Sequence, residues 1–354
     1  MLRFSDYIKP ARFGKRPTAE RLERIRRSPN YKDGAFQNQS FTPNFTGGAN
    51  YLSVMKKVLF GKDKRSTPVD LIPSTHTDLF ALDLNQDVLI WFGHSSYFMQ
   101  IDQVRILVDP VLSGSAAPFS FSIKAFNGTD RYTAEDIPPI DYLFITHDHY
   151  DHLDYKTIVK LKPKINHIIC GLGTGEHLEH WGYDRERITE LDWNEAYHMQ
   201  TGFTAHAVPS RHFSGRELKR NQALWTSFVL KTPTMQIFIG GDSGYDAHFK
   251  TIGNQFGYFD LAIIENGQYD PYWKHIHLMP YEILRAAKEL KAKRIFPVHS
   301  GKFALGNHAW DEPLRLITEN NETQMLNIIT PMIGEVVHLK DTTQSFSTWW
   351  KGIN

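Results

Sequence analysis

Ile145-Thr146-His147-Asp148-His149-Tyr150-Asp151-His152-Leu153-Asp154 directly follows the apolar run Tyr142-Leu143-Phe144. Three histidines and three carboxylates fall within eight residues of it. Imidazole and carboxylate are the side chains that hold divalent transition ions. A strand ending in such a loop can aim several of them at one point. His147 and His149 stand two apart, so on an extended backbone both side chains face the same way. Asp151 and His152 come on the next turn and can serve a second ion nearby. The competing reading is a polar loop of solvated histidines. It requires this density of scarce ligand types to arise by accident.

Outward from that stretch the same event recurs: a strand-like apolar run that ends in a ligand. Phe203–Val208 leads through Pro209-Ser210-Arg211 to His212, Gln236–Ile239 leads through Gly240-Gly241 to Asp242, and Arg294–Val298 ends at His299. Four strands delivering these residues are expected to converge on one sheet edge. Two first-row ions then have enough donors: His147, His149 and His212 for one, Asp151, His152 and His299 for the other, with Asp242 bridging. Gly241 and Gly244 beside Asp242 allow close approach of backbone and metal. Asp148 and Asp154 are candidates to orient ligating histidines. Asp154 is equally a candidate cap for a helix from Tyr155. Histidines without partner spacing, such as His177 and His308, read as structural or exposed.

The chain has 354 residues, more than the roughly 250–300 at which a single core stops growing. Its texture turns to β near Asp87. An N-terminal extension over 1–85, packed on a main domain over 86–354, is therefore expected. A net charge of +1 supplies no global field, and no nucleic-acid partner is expected. The single cysteine, Cys170, sits in an apolar run. It cannot form an internal disulfide, so a cytoplasmic, reducing location is expected. No apolar run reaches the roughly 18–20 residues needed to span a bilayer. Met1–Tyr7 lacks the apolar core of a signal peptide.

Within the extension, Lys15–Arg27 is basic, and Pro17-Thr18-Ala19-Glu20 opens a short helix. That helix either packs on the main domain or makes a peripheral contact with an anionic membrane surface or head group. Phe36–Asn50 reads as an ordered loop over apolar surface, Tyr51–Leu59 as a helix and Asp63–Thr77 as a linker. Beyond it, Val88–Phe92, Tyr97–Ile101 and Arg105–Val108 read as a strand meander. Ser113–Thr129 reads as a long loop walling a substrate cleft. Helices are expected over Tyr155–Lys162, Gly175–His180, Tyr245–Phe256 and Tyr281–Leu290, the last with Ile283, Leu284, Ala287 and Leu290 on one face.

His147-Asp148-His149-Tyr150-Asp151-His152, followed in order by His212, Asp242 and His299, resembles the metallo-β-lactamase superfamily. The resemblance runs from about residue 87 to the C-terminus. It implies an α/β fold, a four-layer αββα sandwich with a dinuclear site at its edge. Trp91-Phe92-Gly93-His94-Ser95-Ser96, Leu107-Val108-Asp109-Pro110, Gly241-Asp242-Ser243-Gly244-Tyr245, Tyr269-Asp270-Pro271-Tyr272-Trp273 and His299-Ser300-Gly301-Lys302-Phe303 resemble, more narrowly, the N-acylphosphatidylethanolamine-hydrolysing phospholipase D branch. The ascorbate-6-phosphate lactonases are more distantly similar.

The resemblance implies a metal-dependent hydrolase with a hydroxide shared by two divalent ions. Zinc is the first expectation, and manganese and iron suit the same ligands. Asp151 is then both ligand and orienter of the nucleophile, and Asp242 is the catalytic bridge. His277 lies over the site against the phosphate or leaving group, and Tyr269 and Trp273 line the pocket. His94 and Asp109 are expected to stabilise loops beneath the metals. The implied substrate is a small-molecule or lipid phosphodiester, N-acylphosphatidylethanolamine-like or related. A lactonase-like C–O ester hydrolase and a non-catalytic metal- or lipid-binding member are the alternatives, and homo-oligomerisation stays open. Two departures fall where a substrate could sit. Glu265-Asn266-Gly267-Gln268 stands where the branch carries a small apolar stretch, and Phe213 where it commonly has tryptophan.

Overall fold

Strands whose successive residues point into two different apolar environments must be covered on both faces. The structure, a computed structural model, describes residues 10–354 and is built on two sheets of this kind. Met1–Tyr7 lies outside the described residues. The extension carries helix α1 (Ala19–Arg27), the hairpin β1 (Tyr31–Lys32) and β2 (Ala35–Phe36), and helix α2 (Tyr51–Phe60).

The first large sheet takes β3 (Val88–Trp91), β4 (Tyr97–Ile101), β5 (Val104–Val108), β6 (Ile140–Ile145), β7 (Ile165–Gly171) and β8 (Ile188–Leu191) in chain order. Helix α3 (Tyr155–Leu161) follows β6, and α4 (Gly175–His180) follows β7. The second sheet holds β9 (Ala196–Gln200), β10 (Phe203–Val208), β11 (Ser227–Lys231), β12 (Gln236–Ile239), β13 (Leu261–Glu265), β14 (Arg294–Val298) and β15 (Asn327–Ile328). Its crossovers are α5 (His248–Phe256), α6 (Ile283–Glu289) and α7 (Glu312–Asn321). A last strand, β16 (Val336–His338), returns to pair with β3. Each sheet is antiparallel at its start and parallel further on.

Side-chain alternation produces the layers. Trp91, Met99, Ile106 and Phe144 meet Ala207, Phe228, Ile237 and Ile263 between the sheets. From the same strands Phe98, Leu107 and Leu143 point outward onto Ile158 and Leu161 of α3 and Leu178 of α4. On the other side Phe238, Ala262 and Ile264 pack on Phe249 of α5, Leu284 of α6 and Ile317 of α7. Each such buried side chain contributes about 1.5–3 kcal/mol. The result is the expected αββα sandwich.

The basic helix α1 packs one face on the main domain through Arg21 and Ile25, while Arg24, Arg26 and Arg27 stay exposed. Arg21 is buried and pairs with Glu176 (2.6 Å), Glu190 (2.7 Å) and Glu179, while Arg24 pairs with Glu195. The presumed linker over 63–77 also departs from expectation. Ile72 is buried, Thr75 N–H donates to Ile333 O, and Val69 N–H donates to Asn354 O. These contacts tie it to the main domain along its length.

Candidate metal centre and active site

Ile145, Val208, Ile239 and Val298 are the last residues of β6, β10, β12 and β14, and all are buried. The turns that follow bring His147, His212, Asp242 and His299 to one edge of the sandwich. Gly241, at φ +61°, lets the Asp242 turn pass Thr146, where a Cβ would lie 2.7 Å from the threonine Cβ. At Gly244 a Cβ would come within 2.0 Å of the His275 carbonyl oxygen.

Two donor clusters result. In the first, His149 Nδ1 lies 2.9 Å from His147 Nε2 and 3.2 Å from His212 Nε2, and Asp242 Oδ2 lies 3.7 and 3.6 Å from those two Nε2 atoms. Zinc–nitrogen bonds of about 2.05 Å in tetrahedral geometry set donor atoms about 3.3 Å apart, which is the spacing seen. In the second, Asp151 Oδ2 lies 3.3 Å from His299 Nε2, 3.5 Å from His152 Nε2 and 2.9 Å from His94 Nε2. Asp242 spans both, with Oδ1 3.2 Å from His152 Nε2 and Oδ2 3.2 Å from His299 Nε2. The sequence reading kept His94 beneath the site. In the structure its ring joins the second cluster. His94, Asp109 and His299 all hold positive φ (55°, 41° and 67°). Non-glycine residues held there cost of order 1–3 kcal/mol each and gather at functional sites.

The residues fit divalent cations. His152 Nε2 and Asp242 Oδ1 are buried and face each other, yet neither has a hydrogen-bond partner. A buried polar atom left so costs about 1–3 kcal/mol, and a cation between them satisfies both. Burial first, and neighbouring imidazoles second, hold His147 well below the usual histidine range. Burial likewise lowers His149 and His212, and brings His94 down to about 3. Neutral imidazole is the ligating form. For Asp151 and Asp242 burial acts upward but is outweighed by His152 and other imidazoles, and both carboxyls fall well below their usual range. For His152 and His299 burial is outweighed by Asp242 and other carboxylates. His152 is raised well above the usual value, and His299 to about 10. Without a cation, these two rings are where the protein would keep positive charge against the buried carboxylates.

Neighbours fix the ring orientations. His152 Nδ1–H donates to Asp109 Oδ2 (2.8 Å), and Asp109 also accepts from Thr146 N (2.9 Å) and Thr146 Oγ1 (2.6 Å). His212 Nδ1–H donates to Ile276 O (2.8 Å). Both rings thus turn Nε2 inward, as orienting partners of metal-binding histidines do. Asp148 instead accepts from Gly215 N (2.7 Å) and lies 3.2 Å from His177 Nε2, so it braces the loop after His212. Asp154 caps α3 through Lys156 N (3.2 Å) and Thr157 Oγ1. The cap reading is the one realised.

A cavity of about 380 Å³ opens over both clusters, with His149, Asp151, His212, Asp242 and His299 on its floor. Its walls correct one expectation. Residues 113–129 do not border it: Ser113, Ser115 and Pro118 flank a separate depression beside Tyr150. The extension supplies the wall instead, through Thr42, Pro43, Phe45 and Val54. Trp273 and His277 line the cavity as expected. Tyr269 does not. It is buried, stacks on His308 (4.5 Å) and donates its hydroxyl to Glu312 (2.8 Å), because the turn after Gln268 directs it toward α7.

Of two further residues of the site, Asn38 escaped the sequence reading, and Glu265 was noted only within a departure from the branch pattern. Asn38 Nδ2 donates to His212 O (2.8 Å), and its Oδ1 accepts from His212 N (3.1 Å). Nothing local in the sequence marks that contact. Glu265 accepts from His277 Nδ1 at 2.7 Å. Its signal was present, since it too is a charged residue closing an apolar strand.

An αββα sandwich with two histidine–carboxylate clusters at one edge defines a metal-dependent hydrolase of the β-lactamase type. The chain belongs to the β-lactamase superfamily: residues 104–300 match the family model described as the beta-lactamase superfamily domain. An uncharacterised protein of Mycobacterium tuberculosis (strain ATCC 25618 / H37Rv) is 35% identical over 330 residues, 92% of this chain and 88% of that protein. N-acyl-phosphatidylethanolamine-hydrolyzing phospholipase D 1 of Caenorhabditis elegans is 28% identical over 336 residues, 86% of this chain and 93% of its own length. Among solved structures, Igni18, a metallo hydrolase from Ignicoccus hospitalis KIN4/I, shares the fold with a TM-score of 0.56, at 19% identity over 72% of this chain and 98% of that one.

Proposed function

We propose that this metal-dependent hydrolase is a phosphodiesterase of phospholipase D type, acting on N-acylphosphatidylethanolamine-like or related phosphodiesters with two divalent ions, zinc first. The observation that carries this reading is the cavity. Donors of both clusters, joined through Asp242, form its floor, and Arg220 is the one lysine or arginine among its described lining residues. That guanidinium stacks on Phe213, 4.7 Å from the ring centroid, and Phe213 in turn packs edge-on against His149 at 4.5 Å. A permanent cation one ring away from the clusters suits an anionic substrate, and a neutral lactone gains little from it. The elements that wall the cavity also expose Phe41, Leu52, Met55 and Phe60, which supports a lipid substrate and a membrane-peripheral position. Buried Cys170, unpaired among the described residues, suits the cytoplasm. No helix among the described residues is long and apolar enough to cross a membrane.

Bound divalent ions would lower the pKa of water toward neutrality and neutralise charge on the phosphoryl oxygens. In this reading the chain's own residues do the rest. His147, His149 and His212 would hold one ion and Asp151, His152 and His299 the other, with His94 at hand. Asp242 would serve both, and Asp151 would orient the attacking water. His277 and Trp273 contact the substrate above them. Elemental analysis and a chromogenic phosphodiester test the proposal together. The expected result is two equivalents of transition metal and turnover that falls more than about 100-fold in Asp242→Asn, beyond the usual loss from an outer-shell change. Turnover of lactones or esters alone overturns it in favour of the lactonase-like reading. A metal-loaded protein that binds lipid but is inert to every panel overturns it in favour of a binding role.

A further inference from the structure

The depression beside Tyr150 has a volume of about 180 Å³ and shares no described lining residue with the metal cavity. Three cationic side chains border it, Arg12, Lys156 and Arg216, against one carboxylate, Asp154. That carboxylate is committed to capping α3 through Lys156 N and Thr157 Oγ1.

Arg216 is 5% exposed, and its guanidinium lies over the rings of Tyr150 (4.1 Å) and Trp181 (5.2 Å). Nη1 donates to Asp148 O (2.8 Å) and Leu153 O (2.7 Å), and Nη2 to Arg12 O (2.7 Å). Nε has no hydrogen-bond partner, and among the described residues no carboxylate oxygen lies within 4.0 Å of the guanidinium. Buried charges are ordinarily paired. Here the three acceptors are neutral carbonyls, so the charge itself goes unanswered. Arg12 repeats the pattern. Its Nε is buried without a partner, and its guanidinium lies 4.9 Å from the centroid of the Phe119 ring. An oxoanion at this depression would accept from both guanidinium groups and neutralise charge that nothing else in the fold meets. A water molecule needs roughly 10–15 Å³ of space, so about 180 Å³ exceeds what a bare ion fills. Ser113 and Ser120 offer hydroxyls, and Ala117 and Pro118 apolar contact, to the rest of an organic molecule.

We propose that this depression binds the phosphate group of a phosphomonoester, behind the loop that carries His147 to His152. Arg216 joins the two. Its Nη1 holds carbonyls at either end of that loop, and its own carbonyl accepts from Tyr150 Oη (2.7 Å). The inference does not depend on the phosphodiesterase reading, because no metal ligand borders the depression.

Lys156 is exposed and can report on occupancy. In the metal-loaded protein, reductive methylation of Lys156 is followed by peptide mass spectrometry as glycerol phosphate is titrated, with exposed Lys250 of α5 as the control. Saturation should slow labelling of Lys156 about threefold or more, the scale of one exposed charge pair, and leave Lys250 unchanged. In Arg12→Gln the half-protecting concentration should rise about tenfold, the scale of one lost hydrogen bond between charged groups. The variant keeps the Arg12 carbonyl that Arg216 uses, and its melting temperature is checked against wild type. Arg220→Gln, in the metal cavity, should leave the half-protecting concentration where it was.

Inorganic phosphate and phosphatidylcholine vesicles with and without phosphatidic acid are titrated alongside. Protection by inorganic phosphate at higher concentration than glycerol phosphate supports a soluble phosphomonoester as the occupant. Protection by the phosphatidic acid vesicles alone supports the same site with a lipid headgroup as its source. Labelling of wild-type Lys156 that no probe slows overturns the proposal, whatever the stability of the variants. So does protection that Arg12→Gln leaves intact or that Arg220→Gln abolishes, since the anion would then act from elsewhere.

Discussion

Replacing Asn38 with alanine tests whether the N-terminal extension shapes the site or only covers it. The amide makes two hydrogen bonds to the His212 backbone, at 2.8 and 3.1 Å, and a third from Trp225 Nε1 at 3.1 Å. Trp225 keeps a partner, since the same Nε1 reaches Ser210 O at 3.1 Å. The His212 N–H does not, and that residue is 1% exposed. Two lost bonds at about 1 kcal/mol each, with part of the penalty for a stranded buried donor, give about 2–4 kcal/mol. At about 2.1 cal/mol/K per residue, a chain of 354 residues unfolds with about 0.7 kcal/mol/K, so Tm should fall by about 3–5 °C. His212 is a proposed ligand, and loosening its backbone should also weaken metal binding about tenfold. That is the low end for an outer partner, because the His212 Nδ1–H bond to Ile276 O survives. Calorimetry of metal-free protein and a zinc titration against a competing chelator measure the two effects. A Tm within a degree of wild type together with unchanged zinc affinity would refute the reasoning and reduce the extension to a cover.

Arg220→Gln should raise KM for an anionic phosphodiester about fivefold, the equivalent of about 1 kcal/mol for an exposed charge contact, and should lower the preference for anionic over neutral substrates measured side by side. Glu176→Gln bears on the ion cluster that docks α1. Burial pushes the Glu176 carboxyl up but is outweighed by Lys15, Arg21 and Thr18, so in the folded protein it titrates below its ordinary 4.5. A depressed carboxyl contributes stability above the unfolded value and loses it as pH falls through the folded one. Urea melts should therefore show the variant weaker than wild type at pH 7, with the gap closing once the pH passes below about 4.5. A gap that stays constant down to acid would show that packing, not charge, carries the contact.

The local chemistry of the site was legible in the sequence. His147, His149, Asp151 and His152 sit within one strand-to-loop segment, where covalent geometry alone keeps donors within reach of each other. His212, Asp242 and His299 could be added because each closes an apolar run, and strand ends share an edge once the runs form one sandwich. The layers were equally legible, because residues such as Phe144 and Leu143 alternate between faces that both need cover.

What tertiary structure decided are contacts between segments far apart in the chain, for which no periodicity exists. His94 enters the second cluster because its turn, held at positive φ, lies beside the loop of Asp151. Tyr269 leaves the cavity because its hydroxyl finds Glu312 on α7. The cavity wall comes from residues 42–54 rather than 113–129 because the extension is anchored at Asn38 and through Arg21. Glu265 gains its meaning only where the end of β13 meets the loop that carries His277. Ligand type and spacing are properties of the chain. Which ring faces which carboxylate follows from how two sheets and an N-terminal strap close over one edge.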